Sequence, residues 1–305
     1  MSTTDALLLG FPESREQARR VAECAGLAFD AVEVHGFPDG ESRLTLPETV
    51  AAHVILYRSL DRPNPKLVEL LLACRALRER GANRLTLVAP YLCYMRQDCA
   101  FEPGEVVSQR IIGAWLAELF DAVITVDPHL HRVHRLEQAV PARCAIALSA
   151  GPVFAEYLRG EGRSETALLL GPDAESEQWV SGIARAAGLP WAVARKERRG
   201  DRSVAIHLPD GVAFSGRRVI LLDDMASTGR TLAGAAEQAR RRRASEISVL
   251  VTHALFVNDS LPHLRAGPID AIGSSDSIPH ATNVVSLAPL LGACLREMLE
   301  AGDGG

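Results

Sequence analysis

At 305 residues the chain is long enough for about two domains. Its composition, 47% hydrophobic and 23% charged, is that of a soluble globular protein, and a net charge of -5 gives no sign of general nucleic-acid affinity. There is no apolar run of about 18 residues to span a membrane and no basic region ahead of the first apolar run to act as a secretory signal, and the six scattered cysteines lack CxxC spacing and read as free thiols of a reducing cytosol.

In chain order, Ala6–Leu9 is a buried-strand pattern, and a helix runs from Ser14 to Ala25, where Gly26 stops it. Val32–Val34 is a short strand. The polar loop His35–Glu41 follows, with Phe37 at its centre, then Arg43–Leu46 alternates as a half-buried strand. Val54–Tyr57 is a strand and Lys66–Arg80 an amphipathic helix with Leu67, Leu70, Leu71, Cys74 and Leu77 on one side. Arg84–Ala89 is the next strand, with a polar loop at Tyr94–Asp98. Ser108–Phe120 is helical and Ala122–Val126 is a strand ending at Asp127-Pro-His129.

The pattern then repeats. Thr166–Leu170 is a strand, Glu177–Ala187 a helix, and Trp191–Ala194 a strand. A strand at Val219–Leu222 leads into a helix that begins near Leu232. Ile247–Thr252 and Ala271-Ile272 are strands, and Val284–Met298 is a closing helix. Strands alternating with helices predict an α/β fold, mainly parallel sheets covered by helices. The boundary falls near Ala145–Ser149, giving domains over 1–146 and 147–305.

The strongest motif is Val219–Leu222 followed by Asp223-Asp224, the small hydroxyl-rich stretch Ala226–Thr231, and a helix. A helix start offers unpaired N–H groups and a positive dipole end to a phosphate. Gly229 permits close backbone approach, and Ser227, Thr228 and Thr231 add hydroxyl donors. Two adjacent carboxylates at a strand end suit vicinal sugar hydroxyls. An ordinary strand-to-helix turn would use Asp and Ser only as caps, and two acids exceed that need. A 5-phosphorylated ribose satisfies both halves.

Other strand ends carry polar groups as well, where ligands of open parallel sheets bind. Phe37-Pro-Asp39-Gly-Glu41 offers an aromatic for a nucleobase between acids, or else a tight turn with its Phe in the core. Tyr94–Asp98 offers Arg96 as a phosphate clamp and Gln97 as a base reader, or a solvated loop. Asp127-Pro-His129-Leu-His131, with His134, has the look of a metal cluster; His129 is its best candidate for a magnesium or phosphate role, and zinc is disfavoured because no partnered cysteine is near. The run Arg195–Arg202 is either a solvated hairpin loop or a mobile loop that carries Lys196 and Arg198 onto a polyphosphate. Arg241–Arg243 is accounted for by the helix dipole.

Taken together, Phe37–Glu41, Arg96–Asp98, Asp127-x-His129, Gly171-Pro-Asp173, Lys196-x-Arg198 and Asp223-Asp224…Thr231 resemble, in order and nearly end to end, the ribose-phosphate pyrophosphokinases that make phosphoribosyl pyrophosphate (PRPP). The ending Val285–Leu291 also resembles the family's last helix. The resemblance implies two tandem type I phosphoribosyltransferase-like domains. It implies an enzyme that moves the β,γ-diphosphoryl group of Mg-ATP to the C1 hydroxyl of ribose 5-phosphate. The competing readings are a phosphoribosyltransferase that consumes PRPP and a non-catalytic subunit of an active synthase.

By the same resemblance, Phe37, Asp39 and Glu41 reach the ATP of a neighbouring subunit in a homo-oligomer, and Arg96, Gln97 and His129 bind ATP. His129 and Asp173 are associated with Mg²⁺. Asp223 and Asp224 take the ribose hydroxyls, and Ser227, Thr228, Gly229, Arg230 and Thr231 the 5-phosphate. Lys196 and Arg198 are catalytic, alternating around Glu197 so that an extended segment points both to one side. The sequence departs from the family at Cys99–Phe101, where basic residues are common. It also departs at Pro128, at Gln138-Ala139 in place of acids, at Ala174–Trp179, and at Ser227 and Arg230. These departures resemble the shorter, archaeal-like branch.

Overall fold

A computed structural model describes residues 6–160, 167–199 and 203–302. Among them the chain forms two compact units. The first takes in the residues up to Ser149, Ser277–Pro279, and those from Leu287 on; the second takes in Ala150–Asp276 and His280–Ser286.

The first unit is built on six parallel strands. They are β1 (Ala6–Gly10), β2 (Ala28–Ala31), β5 (His53–Tyr57), β6 (Arg84–Ala89), β7 (Ala122–Val126) and β8 (Cys144–Leu148), in the spatial order β2-β1-β5-β6-β7-β8. The interior strands β5 and β7 are buried throughout and, apart from His53 and Thr125, correspondingly apolar. Helices α1 (Arg15–Ala25), α2 (Pro63–Glu79), α3 (Ser108–Leu119) and the short α4 (Leu136–Ala139) connect them. On α1, Ala18, Val21, Ala22 and Ala25 recur at helical spacing and are buried. Gly26 ends that helix in the left-handed conformation, and its N–H donates to the Ala22 and Glu23 carbonyls. An antiparallel hairpin of β3 (Glu33–Gly36) and β4 (Ser42–Thr45) stands apart from the main sheet.

The second unit repeats this plan. Strands β9 (Ala167–Gly171), β10 (Trp191–Val193), β13 (Arg218–Ala226), β14 (Glu246–Ala254), β15 (Ala271–Ser275) and β16 (Asn283–Val285) are parallel, in the order β10-β9-β13-β14-β15-β16. Numbered within its own unit, each sheet therefore reads 2-1-3-4-5-6. Each also carries an antiparallel hairpin between its second and third strands. In the second unit that hairpin is β11 (Arg195–Arg199) with β12 (Ser203–His207). Helices α5 (Gly151–Gly160), α6 (Glu177–Ala187), α7 (Arg230–Arg241) and α8 (Ser260–Ala266) belong to this unit.

Several elements differ from the sequence expectation. Three strands emerge that periodicity did not yield: β2, β8 and β16. Residues 195–199, expected within a hairpin or mobile loop, are a strand paired with 203–207, to which the sequence pattern assigns no element. β13 does not end before the acidic pair but runs through it, with Met225 and Ala226 opposite His253 and Ala254 of β14. The last helix, α9 (Ala288–Gly302), begins at Ala288 rather than Val284, because Asn283–Val285 pairs with β15. β8 continues to Leu148 in the first sheet, and α9 belongs with the first unit, packing on α1 where Gly292 leaves no room for a side chain against Cys24. Thr166 lies outside the described residues.

Candidate active site

A 2-1-3-4 strand order reverses direction between its first and third strands, and the crevice beyond their carboxyl ends is where such sheets take ligands. In the second unit that point lies between β9 and β13. Asp173 follows β9 and caps a single 3-10 turn, its carboxylate accepting the Glu175 N–H at 3.2 Å. Gly171, two residues earlier, is closely packed: a Cβ there would stand 2.3 Å from Ser176 Oγ, which would have to turn away. Asp223 and Asp224 come from β13. The Asp223 carboxyl is pushed well above the ordinary carboxylate range, first by burial and then by the charges of Asp224 and Asp173; the Asp224 N–H, donating to Asp223 Oδ1 at 3.0 Å, opposes this. Three carboxylates thus share one electrostatic neighbourhood. Lys196 on β11 joins them, its Nζ 4.0 Å from Asp173 Oδ2.

Beyond β13 the chain turns through Ser227–Gly229 into α7. Gly229 is the N-cap in the left-handed region (φ 70°), and no side chain caps the helix. Its first-turn N–H groups are left for a ligand. The turn is held from outside: the Phe256 N–H donates to the Ala226 carbonyl at 2.8 Å and the Val257 N–H to the Ser227 carbonyl at 3.1 Å. Leu264 of α8 packs so close that a Cβ on Gly229 would lie 2.8 Å from it. Thr228, Arg230 and Thr231 flank the same turn. Arg198 pairs with Val204 in the β11–β12 ladder; its side chain lies outside the described residues.

The corresponding crevice of the first unit, between β1 and β5, is filled by its own side chains. Arg58 is buried there (3% exposed), its Nε donating to Glu13 at 2.7 Å, another nitrogen to Glu69, and its guanidinium 4.0 Å from the Phe11 ring centre. Lys66 Nζ donates to Asp61 and to the Ser59 carbonyl. Among the described residues, the acid pair leading into a helix-start turn stands at this position in the second unit.

The remaining candidate residues of the first unit stand on two other features. Phe37, Asp39 and Glu41 form the tip of the β3–β4 hairpin. The tip is closed by the Phe37 N–H to the Glu41 carbonyl at 2.8 Å and by the Glu41 N–H to Asp39 Oδ1 at 3.1 Å. Phe37 is not folded into the core: it is 41% exposed, with the His35 ring set edge-on at a centroid separation of 4.9 Å. Arg96 and Gln97 follow β6. Gln97 is fixed by Ser108, whose Oγ donates to its Oε1 at 2.9 Å, and by the Gln109 N–H on its carbonyl. His129 follows β7, edge-on to His131 at 4.6 Å. Asp127 before it holds a strained φ of 37°. Ser108 carries no motif signal; only the tertiary contact reveals its role.

Magnesium takes oxygen ligands and retains water. Asp173 supplies oxygens alone, beside the charges of Asp223 and Asp224, and this chemistry fits the ion. His129, a nitrogen donor, fits a metal-bound water or a phosphate better than the ion itself. Among the described residues, no group of three or more His, Cys, Asp or Glu side chains forms a ready metal cage.

Comparison with known proteins agrees with this architecture. Residues 6–119 match the model of the N-terminal domain of ribose phosphate pyrophosphokinase, and residues 148–281 that of the phosphoribosyl transferase domain. The ribose-phosphate pyrophosphokinase of Methanopyrus kandleri is 33% identical over 93% of this chain and 96% of its own. That of Thermococcus kodakarensis is 31% identical over 88% and 92%. The crystal structure of phosphoribosylpyrophosphate synthetase from Mycobacterium smegmatis superposes with a TM-score of 0.82 at 23% identity, covering 98% of this chain and all of that one (100%), which fixes the fold. With both domain models in order and relatives matched nearly end to end, the chain belongs to the ribose-phosphate pyrophosphokinase family.

Proposed function

We propose that the protein is an ATP-dependent ribose-phosphate diphosphokinase, transferring the β,γ-diphosphoryl group of Mg-ATP to the C1 hydroxyl of ribose 5-phosphate and releasing PRPP and AMP. The observation that carries this reading is the β9–β13 crevice: an acid pair on β13 leads directly into an uncapped, glycine-opened helix start. Asp223 and Asp224 take the ribose hydroxyls. Ser227, Thr228, Gly229, Arg230 and Thr231, with the first N–H groups of α7, take the 5-phosphate.

Lys196 and Arg198 meet the charge that shifts onto the diphosphoryl oxygens during transfer, the main demand such a reaction makes on a protein. Asp173 in the second unit and His129 in the first are each assigned a magnesium-associated role; the ion, when bound, would supply charge neutralisation on the phosphates. Arg96, Gln97 and His129 bind ATP, with Gln97 oriented by Ser108. Phe37, Asp39 and Glu41 reach the ATP of a neighbouring subunit; the exposed Phe37, with Val68 and Leu72 exposed on α2 and Ile111 on α3, supports a homo-oligomer. The proposed compartment is the cytosol, supported by six free cysteines; no helix of the described residues is long and apolar enough to cross a membrane.

The test is to incubate the purified protein with Mg-ATP and ribose 5-phosphate and quantify AMP and PRPP, expected in equal amounts. Formation of neither contradicts the proposal. PRPP consumption with a nucleobase would identify a phosphoribosyltransferase. Activity only on addition of a separate synthase would identify an accessory subunit.

A further inference from the structure

Two loops of the first unit, 94–105 after β6 and 127–134 after β7, are joined by one side-chain clamp. Arg132 Nη1 donates to Asp98 Oδ1 at 2.6 Å, and the Arg132 backbone N–H donates to Asp98 Oδ2 at 3.0 Å. Both carboxylate oxygens are therefore engaged by one residue of the other loop. The Asp98 side chain is 2% exposed, whereas that of Arg132 is 58% exposed. Burial opposes ionisation of Asp98, but the Arg132 N–H and guanidinium outweigh it and hold the carboxyl below its usual range. The guanidinium is flanked on another side by Phe101, 5.6 Å from the ring centre. Phe101 is itself 70% exposed, and its N–H donates to Glu105 Oε2 at 2.7 Å.

An exposed ion pair contributes little by itself. This one differs because both oxygens of its carboxylate are bonded by one residue, and because of what it joins. Asp98 directly follows Arg96 and Gln97. Arg132 lies three residues after His129. The third support is Ser108, which fixes Gln97 from the start of α3.

We propose that Arg132 is a positioning residue for the nucleotide: by gripping Asp98 it sets the spacing between the Arg96–Gln97 segment and His129. The inference rests on the reading of those three residues as ATP-facing. Loss of the clamp leaves the Asp98 carboxylate without its cation and lets the two loops separate, so the expected damage falls on ATP and spares ribose 5-phosphate, whose groups lie in the other unit.

The experiment measures Mg-ATP binding by calorimetry, together with steady-state KM for both substrates and kcat, in wild type, Arg132→Ala, Arg132→Lys, Asp98→Ala and Arg132→Ala/Asp98→Ala. Arg132→Ala is expected to weaken ATP binding and raise its KM about tenfold, the scale of one charge-assisted hydrogen bond, with KM for ribose 5-phosphate and kcat within about twofold. Arg132→Lys restores part of the loss. Asp98→Ala is at least as damaging, since it removes both bonds, and the double variant is no worse than Asp98→Ala. Unchanged ATP affinity in Arg132→Ala, or a lower Tm without a change in KM, overturns the inference while leaving the proposed activity standing. Additive losses in the double variant overturn it too. A wild type that does not bind Mg-ATP overturns both.

Discussion

Lys196 Nζ on the β11–β12 hairpin stands 4.0 Å from Asp173 Oδ2 at the end of β9. The contact brings the hairpin's cation to the crevice that holds the acid pair, and it leaves Lys196 about one-third exposed (35%), within reach of a polyphosphate. If Lys196 acts on the transition state, Lys196→Ala lowers kcat by about a hundredfold, the scale of one lost stabilising donor. KM for ATP and ribose 5-phosphate should change far less. Steady-state kinetics decides: loss of affinity with kcat intact would make the hairpin a binding patch.

The phosphate turn depends on one backbone conformation. Gly229→Ala places a Cβ in the left-handed region and 2.8 Å from Leu264. The conformational cost alone is about 1–2 kcal/mol, and the turn must shift to relieve the clash. KM for ribose 5-phosphate should rise at least tenfold while KM for ATP holds. An unchanged KM would place the sugar phosphate elsewhere.

Much of the fold was legible because the central strands are pure apolar runs. Residues 167–170 and 219–222 are buried on both faces and announce themselves. The strands that periodicity missed, β2, β8 and β16, all lie at sheet edges, and β2 and β8 alternate or are only half buried, so their side chains carry a weaker signal. The β11–β12 hairpin was hidden by Arg195–Arg199, whose charges favour solvent and say nothing of pairing. Within the site, Asp223-Asp224 and the loop to Thr231 were readable because their chemistry is local. The Asp98–Arg132 clamp spans 34 residues and the Arg58–Glu13 pair 45; such pairs exist only once the sheet has brought strand ends together. The closure of the first unit's crevice by Arg58 was invisible for the same reason.

Acid should weaken the first unit through His53. Burial first, then the charge of Arg84, lowers its pKa from 6.5 to about 4, with Asp121 opposing; its Nε2 is 2.9 Å from Thr86 Oγ1. The folded state favours the neutral ring, so the unfolded chain gains protons first as pH falls. The contribution is complete above 6.5 and is lost as pH drops from 6.5 toward 4, amounting to at most about 3 kcal/mol. Denaturant midpoints between pH 7 and 4.5 should fall in wild type and fall less in His53→Gln. Parallel curves would assign the acid sensitivity to other groups.

Phe37 offers a test of assembly. Light scattering at assay concentration should find a dimer or larger, and Phe37→Ala should raise KM for ATP without altering the fold. A fully active monomer would remove the shared-site reading.

The central claim is that two phosphoryl groups move together to the sugar. It is tested most directly with ATP labelled at the β-phosphorus, incubated with ribose 5-phosphate and magnesium. The account predicts that the label leaves the nucleotide entirely, appearing in PRPP with unlabelled AMP as the co-product. Label retained in ADP, with a singly phosphorylated C1 product, would contradict it.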